Sequence, residues 1–301
     1  MSYNIHGLPW PIARGRPQAL RRIGERLAQM REQGQQPHIV LLQEAFSADA
    51  KSIAREAEYP FAATGPGRRD RSDMTADEAQ KSFTLGDNKL KGESDGKLED
   101  SGLLVLSDYP IFDVERVPYA RFACAGYDCL ANKGLVMVRV KIPGASQPLT
   151  IIDTHMNSRG ASGVADGRAD AAYGWQAEQL RSFVTDKVKA SDPAIVAGDF
   201  NIGNAPYRRS MIIGCGGILP GSEDALRAAL SANPSSPDHL AASAIVNHGK
   251  DWMFARSGAS TKLTLQGVAV PFGHEPDGKS LSDHFGYVAH YRIADIGSPD
   301  V

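Results

Sequence analysis

The sequence has no long hydrophobic run and almost no net charge. Its apolar runs are only a handful of residues long, far short of the ~20 that a transmembrane helix needs. The 33 basic and 35 acidic residues are well mixed and leave a net charge of −2. This balance argues against bulk electrostatic capture of nucleic acid, although a local basic patch is still compatible with it.

Cysteine is also scarce, and the three residues present allow two interpretations. Cys124 and Cys129 are five apart in a loop-like segment and could come within the ~7 Å Cα separation that a disulfide tolerates. Such a disulfide would leave Cys215 without a disulfide partner and would favour a secreted or periplasmic protein. The alternative is three free thiols. No signal peptide is visible and the first predicted strand starts at Tyr3, so we expect that upstream residues were removed and leave the compartment open.

Short apolar runs alternate with helical patterns along the 301 residues, which predicts a single α/β domain. Helical spacing predicts helices at residues 17–33, 48–58, 173–189 and 222–230. Predicted strands at residues 39–42, 103–106, 135–138, 149–152 and 194–196 are almost wholly apolar, which indicates a sheet covered on both faces. Residues 65–100 carry few apolar side chains and are predicted to be a long surface insertion, mobile or functional.

Polar side chains of similar chemistry accompany several predicted strands. They are Gln43-Glu44, Asp153-Thr154-His155-Met156-Asn157 and Gly198-Asp199-Phe200-Asn201, each after a strand, and Ser282-Asp283-His284 before one. Catalytic groups of α/β proteins concentrate at strand ends. Carboxylate and amide oxygens suit a hard cation such as Mg²⁺, and histidines exchange protons near neutral pH.

Each of these signals has an ordinary explanation when it stands alone. Glu44 could be a solvated carboxylate, Asp199 and Asn201 could shape a turn, and His155 could be a structural histidine. Asp251-Trp252 would pass as a normal strand start. Their order and strand context together favour one site.

The set resembles the endonuclease/exonuclease/phosphatase superfamily, which includes pancreatic deoxyribonuclease and neutral sphingomyelinases. The matching motifs span almost the whole chain. They are Tyr3-Asn4, Leu42-Gln43-Glu44, Ser101-Gly102 to Pro110-Ile111, Thr154-His155, Gly198-Asp199-Phe200-Asn201, Asp251-Trp252 and Ser282-Asp283-His284. The resemblance implies a four-layer α/β sandwich, with two mixed β-sheets packed face to face and helices outside. It also implies a metal-dependent phosphodiesterase that directs water at a phosphate ester.

The resemblance further implies a set of metal ligands. Glu44 would be the principal ligand, and Asn4, Asp199, Asn201 and Asp283 would complete the metal and phosphate site, with Asp199 and Asn201 also serving catalysis. The implied cation is Mg²⁺, with Mn²⁺ or Ca²⁺ as substitutes.

Two histidines have implied catalytic roles. His284 would orient or deprotonate the attacking water, with Asp251 fixing its tautomer as a carboxylate partner does. His155 would stabilise the developing charge or protonate the leaving oxygen, with Asp100 as its acidic partner.

Three segments are similar to the sphingomyelinase and phospholipase C-like branch: residues 3–9, Lys133-Gly134, and residues 281–286. On this resemblance Lys133 and Asn157 would bind the substrate, a phospholipid head group. Plain turn chemistry explains Gly7-Leu8-Pro9 and Lys133-Gly134 equally well, and His6 is interpreted as structural.

Peripheral membrane contact would fall to residues 206–220, where Met211, Ile212 and Ile213 follow Arg208 and Arg209. Such an apolar and basic loop could touch a lipid surface, and a buried loop is the alternative. The expected form is a monomer.

Two other functions remain open. An endonuclease could track a phosphate backbone with the arginines at 14, 16, 21 and 22 or at 68, 69 and 71, although a solvated helix face explains Arg21 and Arg22. A binding module could keep the fold without the chemistry. The complete set of site residues argues against that last reading.

Overall fold

The structure, a computed structural model, describes residues 1–214, 216–275 and 278–297, and β-sheets form its centre. The strands are β1 (Ser2–Asn4), β2 (Ile39–Gln43), β3 (Phe61–Thr64), β4 (Leu104–Ser107), β5 (Ile111–Pro118), β6 (Gly134–Val140), β7 (Leu149–His155), β8 (Ala194–Asp199), β9 (Glu223–Asp224), β10 (Asp251–Arg256), β11 (Thr261–Phe272) and β12 (Gly286–Asp295). The α-helices are α1 (Arg16–Glu32), α2 (Ala48–Glu56), α3 (Glu78–Leu85), α4 (Asp166–Lys187), α5 (Pro206–Ile213), α6 (Ala225–Ala232) and α7 (His239–His248). Two short 3₁₀ helices cover Lys89–Lys91 and Gly126–Leu130.

The strands form two mixed sheets of six strands each. Sheet A has the order β11-β12-β1-β2-β4-β3, and sheet B has the order β5-β6-β7-β8-β10-β9. The pairs β1–β2 and β7–β8 are parallel, and they lie near the middle of their sheets. Each sheet therefore has a central parallel pair whose strands end on the same side.

Three apolar clusters separate the four layers. Leu41 of β2 lies between the sheets, whereas its neighbour Leu42 lies against the helices outside sheet A, because successive strand residues face opposite sides. Leu27 of α1 packs in the outer cluster of sheet A, and Leu180 of α4 packs in that of sheet B. The predicted four-layer sandwich is confirmed, and burial on both faces explains the apolar strands.

The helices were predicted only in part. The observed α1 and α2 agree with the predicted helices, but α4 begins at Asp166 rather than near Tyr173, because its first turns bury small alanines that form no apolar stripe. The helix predicted at 222–230 is preceded by β9 and observed as α6. Helices α3, α5 and α7 were not predicted. Helix α3 has no buried residue and therefore no hydrophobic periodicity to detect.

Residues 65–100 contain α3 and the first 3₁₀ helix, and one buried carboxylate joins them to the rest of the protein. Glu93 is 6% exposed. It accepts a hydrogen bond from the backbone N–H of Gly126 at 2.7 Å and one from Arg168 Nε of α4 at 2.8 Å. The insertion is thus attached at the same loop that carries the second 3₁₀ helix.

The structure supports the buried-loop alternative for residues 206–220. Ile212, Ile218 and Leu219 are at most 1% exposed and belong to the outer core of sheet B, so these three residues cannot contact lipid. Ile213 of the same segment is 42% exposed. Arg208 is fully buried as well. Its guanidinium donates to the backbone oxygens of Asn157 and Asn201. Within the described residues, no helix combines the length and apolarity needed to cross a membrane.

Candidate active site

Strand register brings the polar strand ends of both sheets to one place. In sheet B, His155 pairs with Asp199 across β7–β8, and Asp251 pairs with Asp199 across β10–β8. In sheet A, Asn4 ends β1 beside Gln43 of β2. The side chain of Asn4 crosses to the other sheet and donates from Nδ2 to Asp199 Oδ2 at 3.0 Å. The site therefore lies where the ends of the two central parallel pairs meet.

A glycine makes the approach of β7 and β8 possible. Gly198 has φ 139°, and a Cβ at this position would lie 2.0 Å from the backbone oxygen of Thr154. Only glycine tolerates both conditions. Gly198 thus permits the close pairing that sets Asp199 beside His155.

Backbone strain also concentrates here. Of the five described non-glycine residues with positive φ, three belong to the site: His6, Glu44 and Asn201. Such conformations are costly and persist where the surrounding structure holds them. Each of the three directly follows or closely follows a central strand, so the turn at the strand end aims the side chain into the site.

An acidic and amide cluster forms the centre of the site. Asn4 Nδ2 donates to Glu44 Oε1 at 2.9 Å as well as to Asp199. The second oxygen of Glu44, Oε2, is buried and has no hydrogen-bond partner among the described residues. Burial raises the pKa of Glu44, and the nearby Asp199 raises it further. An orphaned carboxylate oxygen in a cluster of carboxylates is what a hard cation would satisfy, and ligand atoms of Glu44, His155 and Asp199 lie within 4.8 Å of one another.

On one side of this cluster, His284 is paired with Asp251. Its Nδ1 lies 2.8 Å from Asp251 Oδ2, and its Nε2 lies 3.7 Å from Asp199 Oδ2. Burial alone would lower the pKa of His284, but the carboxylates of Asp251 and Asp199 outweigh it and raise the pKa to about 10. The pair leaves Nε2 directed at the site and Nδ1 held by the carboxylate.

On the other side, His155 is paired with a lysine. Lys133 Nζ lies 3.1 Å from His155 Nε2 and donates to the backbone oxygen of Met156. It also forms an ion pair with Asp128. Burial, together with the charge of Lys133, lowers the pKa of His155 to about 3. The surroundings therefore push the two histidines in opposite directions: they favour the neutral form of His155 and the protonated form of His284.

A disulfide holds the loop that supplies Asp128. Cys124 and Cys129 are bonded, with their Cα atoms 5.2 Å apart, which confirms the paired interpretation for these two cysteines. Cys215 lies outside the described residues. Asp128 and Tyr127 lie inside the closed loop. The disulfide therefore limits how far the Lys133 partner can move.

Two predicted site residues are placed differently from the sequence interpretation. Asp100 accepts from Lys51 Nζ at 2.6 Å and from the Gly102 N–H. Within the part of the chain that the structure describes, the Asp100 carboxylate bonds to Lys51 and Gly102, whereas Lys133, paired with Asp128, lies beside His155. Asn157 is fully buried and accepts from the Ala125 N–H. Its side chain orders the loop and cannot reach a substrate.

The other predicted residues lie at or beside the cluster. Asn201 lines the cleft and its backbone N–H donates to Asp199 Oδ1 at 2.9 Å. Asp283 is more than half exposed and lies 3.2 Å from His6 Nδ1. His6, which was interpreted as structural, thus faces the site through Asp283.

The site opens into a cleft of about 480 Å³. We call the polar set at its base the floor: Glu44, His155, Asp199 and His284, which line the cleft, with Asn4 and Asp251, which bond to Asp199 and His284. We call the apolar side chains above it the wall: Leu8, Pro9, Ile12, Phe46, Leu130 and Ala131. Tyr127 and Lys250 also line the cleft. The wall makes the approach to a charged floor largely apolar.

The sequence interpretation missed Asp128, Lys250 and most of the wall. Asp128 reaches Lys133 only because a 3₁₀ helix and a disulfide fold the intervening residues, and no periodic pattern reveals that. Lys250 precedes Asp251, and its charge lowers the pKa of His284, which opposes the effect of the two carboxylates. Its adjacency to a named site residue was the only available signal.

Comparisons with known proteins agree with this geometry. The sequence profile of the Endonuclease/Exonuclease/phosphatase family matches residues 1–284, and no curated protein matches the chain. Similar solved structures include sphingomyelinase C from Streptomyces griseocarneus, with 24% identity, a TM-score of 0.61 and 97% of each chain covered. A beta toxin mutant from Staphylococcus aureus with bound magnesium ions has 15% identity and a TM-score of 0.61, covering 96% of this chain and 97% of that one. D. rerio TDP2 complexed with a single-strand DNA product has 13% identity and a TM-score of 0.58, with 97% of each chain covered.

At these identities the structural likeness establishes a shared fold. The profile match extends from the first strand through His284 and so includes every residue of the floor. The chain belongs to the endonuclease/exonuclease/phosphatase family.

Proposed function

We propose that the protein is a divalent-cation-dependent phosphodiesterase that hydrolyses a phospholipid head group, in the manner of a sphingomyelinase or phospholipase C. The observation that carries the proposal is the floor itself. A carboxylate cluster with an orphaned oxygen lies between two buried histidines whose pKa values are shifted in opposite directions, at the base of an apolar cleft. This arrangement suits attack of water on an anionic ester.

The residues present fit a hard cation. Glu44 and Asp199 would hold Mg²⁺, with Asn4 orienting both carboxylates and Asn201 and Asp283 at the edge of the site. A bound cation supplies charge neutralisation, which lowers the repulsion between a phosphodiester and an attacking oxygen. The beta toxin structure with bound magnesium ions supports Mg²⁺ as the first ion to test.

His284 is proposed to handle the proton of the attacking water at Nε2. Asp251 accepts from Nδ1–H, which fixes the tautomer and the ring orientation. The role requires a neutral ring, and the carboxylates of Asp199 and Asp251 oppose this in the cation-free protein. Positive charge placed beside Asp199 lowers the pKa of His284 and so favours the neutral form.

His155 and Lys133 are proposed to act on the opposite oxygen. Lys133 Nζ lies beside His155 Nε2 and contributes a buried positive charge close to where negative charge develops on the leaving group. Asp128 holds the ammonium in place. The pair therefore stabilises the leaving oxygen while His284 acts on the water.

The apolar wall favours a lipid over a nucleic acid. A DNA backbone is bound by rows of cations, whereas the wall of this cleft is formed by Leu8, Ile12, Phe46 and Leu130, with Lys250 as a further lining residue. The likeness to sphingomyelinase C supports the lipid class. The likeness to TDP2 with a DNA product keeps an endonuclease as the second candidate.

A parallel assay tests the proposal. The purified protein is incubated in Mg²⁺, with and without chelator, with sphingomyelin–detergent micelles and with supercoiled plasmid. Chelator-sensitive release of phosphocholine with intact plasmid is expected. Nicked plasmid with untouched lipid would assign the endonuclease function instead, and metal binding without turnover of either would indicate a binding module.

A further inference from the structure

Large apolar side chains are exposed around the opening of the cleft. Trp10 is 79% exposed and Ile12 is 67% exposed. Both lie in the segment between β1 and α1, whose Leu8, Pro9 and Ile12 line the cleft. Singly exposed apolar residues are common, but several of them grouped at one cleft mark a candidate interaction surface.

A second segment that lines the cleft carries the same kind of residues. Tyr127 lines the cleft and is 46% exposed, and Lys91 Nζ lies 4.9 Å from the centre of its ring. Leu90, beside Lys91 in the first 3₁₀ helix, is 90% exposed. The insertion at residues 65–100 therefore supplies part of the rim.

Basic side chains accompany the apolar ones in both segments. Arg14 follows the Trp10 segment and is exposed, and Lys89 is exposed beside Leu90. We define the mouth surface as Trp10, Ile12, Arg14, Lys89, Leu90, Lys91 and Tyr127. Aromatic rings, aliphatic side chains and cations in one surface are the composition that binds a phospholipid interface, where rings lie at head-group depth and cations meet phosphates.

We propose that the mouth surface docks the protein on a phospholipid bilayer with the cleft facing the lipid; this deepens the proposed function and rests on it. Single-stranded nucleic acid is the rival occupant, because aromatic rings stack on bases. Ile12 and Leu90 cannot stack, and each segment of the rim has one aromatic residue rather than a row. The aliphatic residues fit acyl chains and not bases.

Docking in this orientation has a direct consequence for access. A head group would enter between the Trp10 segment and Tyr127 while the apolar wall below contacts the proximal part of the lipid chains. The substrate would then leave the bilayer only partly. The mouth surface and the floor thus lie along one entry route for the head group.

The test measures vesicle binding apart from turnover. The full chain is kept in chelator and mixed with vesicles of sphingomyelin, phosphatidylcholine and phosphatidylserine, and the bound fraction is measured by co-sedimentation. The variant Trp10→Ala with Ile12→Ala is expected to lower the partition coefficient by about tenfold or more. The matched control is Leu240→Ala with Ile296→Ala, which removes two exposed aliphatic side chains, 84% and 61% exposed, that do not line the cleft.

Fluorescence gives an independent readout. Trp252 is buried and Trp175 packs partly buried against the sheet B core, so a blue shift on adding vesicles should come from Trp10. The shift is expected in the wild-type chain and lost in Trp10→Phe, which keeps an aromatic ring.

The outcomes separate the two proposals. Equal vesicle binding by the rim variant and the wild-type chain would overturn the docking surface, whatever the activity. Loss of single-stranded DNA binding by the rim variant, with no vesicle binding by either protein, would assign the surface to nucleic acid. If the wild-type chain hydrolyses bis(p-nitrophenyl) phosphate but does not bind vesicles, the phosphodiesterase activity is supported and the docking surface is contradicted. Vesicle binding without release of phosphocholine would support the docking surface and contradict the proposed substrate.

Discussion

The floor and the wall of the cleft are built from different parts of the fold. Every floor residue lies at or within a few residues of a strand end, and registers such as Asp251–Asp199 fix its position. The wall and the rim come from loops, from a 3₁₀ helix and from the insertion at residues 65–100. The floor can therefore perform one chemical step while the loops determine what reaches it. Substitutions in the two regions should consequently affect different measured quantities.

The largest effect is expected from the floor. Glu44→Gln and His284→Ala should each lower turnover by about 10⁴-fold, because one removes the principal candidate ligand and the other the proton acceptor. Turnover of a soluble phosphodiester in saturating Mg²⁺ measures this. Mg²⁺ should raise the melting temperature of the wild-type chain and not that of Glu44→Gln, since a ligand that binds only the folded state stabilises it. A near-normal rate in either variant contradicts the site assignment.

Asp251→Asn should lower turnover by about 10²–10³-fold and also change the pH profile. The carboxylate of Asp251 raises the pKa of His284, so its loss lowers that pKa. The neutral ring then forms at lower pH, and the acidic limb of the rate profile shifts to lower pH. An unchanged limb, with correct folding shown by circular dichroism, would mean that another group controls the profile.

Lys133→Met is expected to cost about 10- to 100-fold in turnover, because it removes a charge from beside His155. It also leaves Asp128 buried without its partner, so the variant should be less stable. Adding Asp128→Asn should restore the melting temperature and not the rate. Recovery of both would show that Lys133 acts only through folding.

Changes in the wall should alter specificity with little effect on chemistry. Leu8→Ser with Leu130→Ser is expected to raise KM for sphingomyelin micelles by about three- to tenfold, because apolar contact area is lost. The kcat for bis(p-nitrophenyl) phosphate should be unchanged. Equal losses on both substrates would mean that wall and floor are not separable.

The smallest change in activity is expected from the disulfide. Cys124→Ser with Cys129→Ser should lower the free energy of unfolding by about 2 kcal/mol. The effect is modest because a disulfide that closes so short a loop restricts the entropy of the unfolded chain only a little. The rate at 25 °C should stay within about twofold, since Lys133 and Glu93 still hold the loop. Reductant should lower the melting temperature of Cys215→Ser as it does that of the wild-type chain, and should not affect the double variant.

The same contrast explains which parts were predictable from sequence. Glu44, His155, Asp199 and His284 follow or precede apolar strands, and the continuous apolar runs mark where those strands end. The wall depends on contacts such as Gly126 with Glu93, which are distant in sequence and leave no periodic signal. The pairing of His155 with Lys133 was not predicted for the same reason, and the role of Asp100 stays a prediction. The chain near the 3₁₀ helix brings Asp128 and Lys133 to His155, while Asp100 is taken by Lys51.

The buried Glu93 makes residues 65–100 difficult to remove from the protein. Its carboxylate meets Gly126 and Arg168, so three distant segments depend on one another. A protease that cut the exposed part of residues 65–85 would release no fragment easily, because the downstream portion stays anchored. Deleting residues 65–100 would remove both carboxylates that pair with the guanidinium of Arg168, Asp87 and Glu93, and would leave the Gly126 N–H without its acceptor. A chain shortened at residues 65–100 would therefore need compensating changes at Arg168 and near Gly126 to keep those buried polar groups satisfied.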